Sequence, residues 1–231
     1  MRTQRSSEAA RRQPHRMRVL FGAFGCCALS FAPTHTANAQ DPSVEGQWGK
    51  VLDWDGLVAV HGVHLPHGYV LVWRNGSNVR IWNAAIEAFV DGADGAAGSF
   101  PLDSNIFCAG HAQLPTGWPL VIGGASQNGR GISDSNIFRW PMYGPTHWQT
   151  IAPMTYQRWY PTCTVMPDGQ ILATSGRDIN ASAVRIPELY DATTNTWRQL
   201  IDAEKSLPLY PFMFVAPTGD VFHAGPSLRH G

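Results

Sequence analysis

A Pro-x-Gly turn recurs four times along this 231-residue chain, each time between two short apolar runs. The four prolines are Pro66, Pro115, Pro167 and Pro217, spaced 49, 52 and 50 residues apart. The units around them read AVHGVHLPHGYVLVW, CAGHAQLPTGWPLVIGG from Cys108, YPTCTVMPDGQILATSG from Tyr160 and YPFMFVAPTGDVFHAGP from Tyr210. Proline presets φ for the first turn position and glycine accepts a positive φ at the third, so each unit predicts a β-hairpin. Hairpins that return at a nearly constant interval predict repeated sheets, each burying its apolar face against its neighbours.

A second landmark keeps the same step. Trp48, Trp148 and Trp197 precede Pro66, Pro167 and Pro217 by 18, 19 and 20 residues. The phrase YDATTNTWRQL from Tyr190 to Leu200 reads as an outer strand pair with an Asn-Thr turn before its tryptophan. The unit around Pro115 lacks that tryptophan; DGADGAAGSF, ending at Phe100, stands in its place. No long stretch after the first forty residues has helical periodicity. The 9 Trp, 10 Phe and 6 Tyr suit sheets packed face to face. A period near 50 with this content is that of a kelch repeat. The predicted fold class is all-β, a kelch-type β-propeller with about four blades present in an incomplete ring. A β-sandwich with fortuitous spacing is the competing fold, and four turns in register weigh against it. Equivalent positions of successive propeller blades neighbour one another around a central channel. Cys108, Tyr160 and Tyr210 each lie seven residues before their proline. They are therefore expected on the innermost strands of three successive blades, with Cys108 beside Tyr160.

Residues 1–39 read as a secretory signal peptide. A basic stretch, MRTQRSSEAARRQPHRMR, precedes the apolar run VLFGAFGCCALSFA and the small-residue site Ala37-Asn38-Ala39. The apolar run is too short to span a bilayer, so no membrane span is expected. The protein is expected to be secreted or periplasmic, with residues 40–231 forming the propeller. Only Cys108 and Cys163 remain after cleavage, in a compartment where thiols pair when geometry allows. A formal net charge of zero and the lack of a basic patch exclude nucleic acid as a partner. Roughly 190 residues at about 50 per blade fall short of four blades. The fourth unit lacks its outer strands, so the segment is expected to be the N-terminal portion of a longer domain.

Three phrases carry a resemblance to a known family. SNIFCAGHAQLPTGWPLVIGG (104–124), QRWYPTCTVMPDGQILATSG (157–176) and YPFMFVAPTGDVFHAGP resemble the secreted copper radical oxidases, the galactose oxidase and glyoxal oxidase family. FCAGH and RWYPT are more specific than the kelch period, which many non-enzymes share. The resemblance implies that Cys108, after Phe107, and Tyr160 are catalytic, joined by a thioether that acts as a protein-derived cofactor. It implies that Tyr160 binds copper and is oxidised to a radical. Copper and radical together would take two electrons from a small primary alcohol, aldehyde or carbohydrate, with O2 reduced to hydrogen peroxide. Phenol and imidazole ligands in a tetragonal arrangement suit Cu(II). The sequence departs from the family twice. Galactose oxidase has a tryptophan soon after the blade of the modified tyrosine, where this chain reads SGRDINAS, with Arg177 and Asp178, which favours the glyoxal oxidase side. The family's remaining ligands are an adjacent Tyr-His pair and a further histidine, and this chain contains no Tyr-His dipeptide. The chain alone is therefore expected to be inactive.

The residues also have plainer readings. Cys108 suits a buried core thiol or a disulfide with Cys163. Cys163 follows Tyr160 by three residues, an odd separation that turns it to the opposite face of a strand. Tyr210 is expected to line the channel. Arg158 is expected either at the channel mouth as a substrate-side cation or as an ordinary loop arginine. His61, His64 and His67 look like metal ligands, but His64 points away from the other two at strand spacing, which favours a surface His-rich hairpin. His111 and His223 read as satisfied core or channel histidines. Two functions remain open: part of a copper radical oxidase, or a non-catalytic extracellular kelch module that binds a glycan or protein.

Overall fold

The computed structural model describes residues 46–54, 56–90, 100–126, 129–140 and 147–225. Residues 1–39, the expected signal segment, lie outside them. The chain divides into two compact units, Met1–Val51 and Leu52–Gly231. In the first only residues 46–51 are described, and Trp48 is fully exposed there.

The second unit is all-β, with four antiparallel sheets. The first contains β1 (His61–Leu65), β2 (Tyr69–Trp73), β3 (Val79–Asn83) and β4 (Ala88–Phe89). The second contains β5 (Gly110–Gln113), β6 (Pro119–Ile122), β7 (Ser135–Phe138) and β8 (Trp148–Thr150). The third contains β9 (Thr162–Val165), β10 (Ile171–Thr174), β11 (Glu188–Asp191) and β12 (Thr196–Gln199). The fourth is a hairpin of β13 (Met213–Val215) and β14 (Val221–His223). Strands pair in chain order within every sheet, so all connections are local. All four Pro-x-Gly turns close hairpins, and their glycines take φ of 78°, 80°, 84° and 89°. Short 3-10 turns at Pro66–Gly68 and Ile201–Ala203 are the helical elements among the described residues. No helix there is long and apolar enough to cross a membrane.

The second strands form the core. β6 (PLVI) and β10 (ILAT) are buried at every position, and apart from Thr174 their residues are apolar. Side chains alternate along a strand, and β6 uses this to join two cores. Val121 packs with Leu71, Ile81 and Phe138, whereas Leu120 and Ile122 pack with Ile171, Ala173 and Tyr190. Each cluster therefore draws on two successive sheets. Burying one such Leu or Ile contributes about 1.5–3 kcal/mol.

An aromatic pair repeats between the third and fourth strands of each complete sheet. Trp82 faces Phe89, Phe138 faces Trp148 and Tyr190 faces Trp197, with ring centroids 5.0, 4.9 and 5.0 Å apart. The indole nitrogens of Trp148 and Trp197 donate to the Phe100 and Ala152 carbonyls at 2.9 and 3.0 Å. The unit that lacks the landmark tryptophan uses Phe89 in that place, not DGADGAAGSF, whose residues 91–99 lie outside the described ones. In the fourth sheet Phe214 and Phe222 remain half exposed.

Candidate active site

The three lead residues share a backbone shape that the repeat alone does not reveal. Cys108, Tyr160 and Tyr210 sit two, two and three residues ahead of β5, β9 and β13, not on the innermost strands as expected. All three are left-handed, with φ of 59°, 62° and 47°. A side chain in that region costs on the order of 1–2 kcal/mol and persists where surrounding contacts over-determine it. Those contacts are visible. The Tyr160 amide donates to the Cys108 carbonyl and the Tyr210 amide to the Tyr160 carbonyl, both at 3.0 Å. One hydrogen-bonded path thus steps from sheet to sheet through the three lead residues.

This path brings the Cys108 thiol against the Tyr160 hydroxyl and the Trp159 side chain. Burial raises the Cys108 pKa, opposed by those two donors. The interaction with Cys108, and then burial, push the Tyr160 phenol up to about 12. Both groups are protonated near neutral pH. The Trp159 ring lies on Tyr160 with centroids 3.9 Å apart, and Tyr210 packs on Tyr160 at 4.7 Å. Tyr210 is anchored by its hydroxyl, which donates to the Ala109 carbonyl at 3.0 Å. Burial raises its pKa, with Cys108 and Tyr160 adding to the effect. Where the resemblance implies a shielding tryptophan after the tyrosine's hairpin, this chain reads SGRDINAS. The ring against Tyr160 is instead Trp159, its immediate neighbour in RWYPT.

Arg158 corrects another expectation. Its side chain is fully buried and cannot serve as a substrate-side cation. Nη2 lies 2.9 Å from Glu188 Oε2 and Nε 3.3 Å from the same oxygen. Nη1 and Nη2 donate to the Ser175 and Ile186 carbonyls at 2.7 Å. The Glu188 carboxylate also accepts the Thr155 and Tyr156 amides at 2.7 and 3.3 Å. The segment from Thr155 to Arg158 is thereby tied to β11, immediately before Trp159 and Tyr160. Two glycines close over it. A Cβ on Gly131 would meet the Arg177 carbonyl at 2.3 Å, and one on Gly129 would meet the Trp159 ring at 2.9 Å. Glu188 opens β11, which reads ELYD and ends in a second carboxylate, so only the fold singles it out as the partner of Arg158.

Beside Tyr210 lies an open pocket of ≈ 280 Å³ that His61, His111, Thr162 and Cys163 also line. His61 is half-buried: its ring stacks on Trp73 at 5.0 Å and meets His111 edge-on at 5.5 Å. His64 and His67 are exposed. His111 is half-buried and lines the pocket. His223 lies in β14 and its Nε2 is buried without a hydrogen-bond partner, so it is not satisfied as expected. His230 lies outside the described residues. Cys108 and Cys163 are both free thiols, not a disulfide. Cys163 packs on the core shared by the second and third sheets, and burial pushes its thiol up to about 12.

The donors beside Tyr160 do not complete a copper site. They are a phenol and a thiol, both protonated, whereas Cu(II) favours a tetragonal set of nitrogen and oxygen ligands. Among the described residues no group of three or more His, Cys, Asp or Glu side chains is placed to hold a metal ion.

No family model and no curated protein matches the chain. Among solved structures, it is similar to a fungal alcohol oxidase of the AA5 family in complex with copper, at a TM-score of 0.55 and 20% identity. The match covers 67% of this chain and 32% of that one, so this chain spans about a third of that protein's length. Similarity at this identity is a similarity of fold, and the chain has a copper radical oxidase-like fold.

Proposed function

We propose that this chain carries the cysteine–tyrosine half of a secreted copper radical oxidase that oxidises primary alcohols or aldehydes and reduces O2 to hydrogen peroxide. The observation that carries the reading is the direct interaction of the Cys108 thiol with Tyr160, under the Trp159 ring, at equivalent left-handed positions before two successive sheets. In this reading the four sheets are kelch blades around a central axis, and residues 1–39 direct export. Cys108 and Tyr160 are the catalytic residues, and Tyr160 is a copper ligand in a protein that supplies the rest of the set. The chain's own residues hold the sulfur against the phenol, cover the ring with Trp159 and fix its backbone through Arg158.

Peptide mass spectrometry tests this. The chain treated with copper in air should show no Cys108–Tyr160 cross-link and no peroxide production, because its ligand set is incomplete. A longer form that adds a Tyr-His pair and a further histidine should show the two peptides joined with loss of two hydrogens. Cys108→Ser should abolish both the cross-link and the peroxide-forming activity. A longer form that is active with Cys108 unmodified would overturn the reading. The lack of a three-ligand group among the described residues favours a second reading, a non-catalytic extracellular kelch module that binds a glycan or protein.

A further inference from the structure

The pocket beside Tyr210 contains a pair of imidazoles that the cysteine–tyrosine chemistry does not use. His61 comes from β1 and His111 from β5, fifty residues apart in sequence and in successive sheets. Both rings rest on Trp73: His61 stacked on it at 5.0 Å, His111 against it edge-on at 5.1 Å. Trp73 is itself immobilised, fully buried with its indole nitrogen donating to the Ile106 carbonyl at 3.2 Å. The pair is therefore held rigid before anything binds. The His61 Nε2 atom is buried and has no hydrogen-bond partner. An unpaired buried polar atom costs about 1–3 kcal/mol, so a native structure that retains one calls for a reason. Cys163 and Tyr210 line the same ≈ 280 Å³ space.

We propose that His61 and His111 form a two-imidazole seat for a transition-metal ion, with copper the favoured metal and exogenous ligands filling its remaining positions. The site is separate from the Cys108–Tyr160 pair. Neutral imidazole suits copper, zinc, nickel and iron, and among divalent ions copper binds nitrogen donors most tightly. Burial favours the neutral form of both rings, the form that binds metal. The two rings meet edge-on with centroids 5.5 Å apart, and the pocket they line leaves room for water or a small anion. The absence of a three-residue ligand group among the described residues makes the seat open rather than closed. An open copper site exchanges its ion, in contrast to a closed structural site.

The test adds Cu(II) to the full chain at one equivalent and reads nitrogen couplings by pulsed electron paramagnetic resonance, with affinity from a competing chelator. Two equivalent-strength imidazole couplings are expected. His61→Gln and His111→Gln should each remove one coupling and weaken affinity at least about tenfold, the scale set by losing even a supporting partner of a ligand. A His64→Ala/His67→Ala double variant should bind as the parent does. Near-ultraviolet circular dichroism reports whether each variant keeps its aromatic packing. Should the glutamine variants lose that packing, the parent decides the matter: bound copper should protect His61 and His111 from imidazole-modifying reagent, read by peptide mass spectrometry. Copper that leaves both histidines reactive, or that follows His64 and His67, would overturn the proposal. The cross-link experiment above is independent of this outcome, because Cys108→Ser leaves both histidines in place.

Discussion

Replacing Glu188 with alanine removes the acceptor that holds the RWYPT segment. Four donors lose their partner at once: Arg158 Nε and Nη2 and the Thr155 and Tyr156 amides. The Arg158 guanidinium would be left charged with 0% exposure, where water cannot replace the carboxylate. Breaking a fully buried ion pair from one side costs about 3–5 kcal/mol. At about 1.4 kcal/mol per factor of ten, this corresponds to a hundredfold to several-thousandfold rise in local opening. Hydrogen exchange read by mass spectrometry is the appropriate assay, because the reporting amides belong to the same segment. Arg158, Trp159 and Tyr160 donate to the Ile132, Arg177 and Cys108 carbonyls at 2.9, 2.9 and 3.0 Å. Their exchange should accelerate by that factor in Glu188→Ala, and by less in Glu188→Gln, which keeps one acceptor oxygen. A double variant, Arg158→Met with Glu188→Leu, should recover part of the protection, because it leaves no unpaired charge although the Thr155 and Tyr156 amides still lack the carboxylate. Acceleration of less than tenfold in Glu188→Ala would refute the argument that this carboxylate positions Trp159 and Tyr160.

Further expected outcomes test other parts of the structure. Gly129→Ala places a Cβ 2.9 Å from the Trp159 ring at a φ of 71°, so it should destabilise by about 1–3 kcal/mol and shift tryptophan fluorescence. Because the Tyr160 pKa is raised to about 12, its phenolate should appear in ultraviolet titration only near that pH, assigned by difference from Tyr160→Phe; ionisation near 10 would contradict the contact with Cys108. His61 has its folded-state pKa lowered to about 4 from an ordinary 6.5. The stability that follows is present above 6.5 and lost as pH falls through about 4, and His61→Gln should flatten that part of a melting-temperature profile. Phe212, Phe214 and Phe222 are half exposed or more, and a groove elsewhere on the third and fourth sheets is lined by Leu172, Leu189, Leu200 and Met213. The chain should therefore self-associate with concentration in light scattering, and a monodisperse monomer across the range would refute this.

The local features were legible before any coordinates. A Pro-x-Gly turn between apolar runs is a hairpin whatever surrounds it, and all four hairpins form at their expected turns. The common register of Cys108, Tyr160 and Tyr210 was legible for the same reason, because counting back from a turn is a local operation. Features that depend on distant partners were not. The left-handed backbone at these three residues is held by hydrogen bonds between residues about fifty apart, and their placement ahead of the strands follows from it. Arg158 read as exposed because its partner, Glu188, is thirty residues away and reaches it only once β11 packs behind the segment. The stacking of Trp159 on Tyr160 was not legible either, because stacking is decided by backbone direction, which the repeat does not encode. His61 read as a surface histidine because strand alternation tells which residues share a face, not what covers that face. Only the packing of the second sheet on the first brings His111 to it. Sequence determined the repeated unit, and tertiary structure decided what its equivalent positions meet, because turns are set within a few residues while burial and pairing are set by neighbours in space.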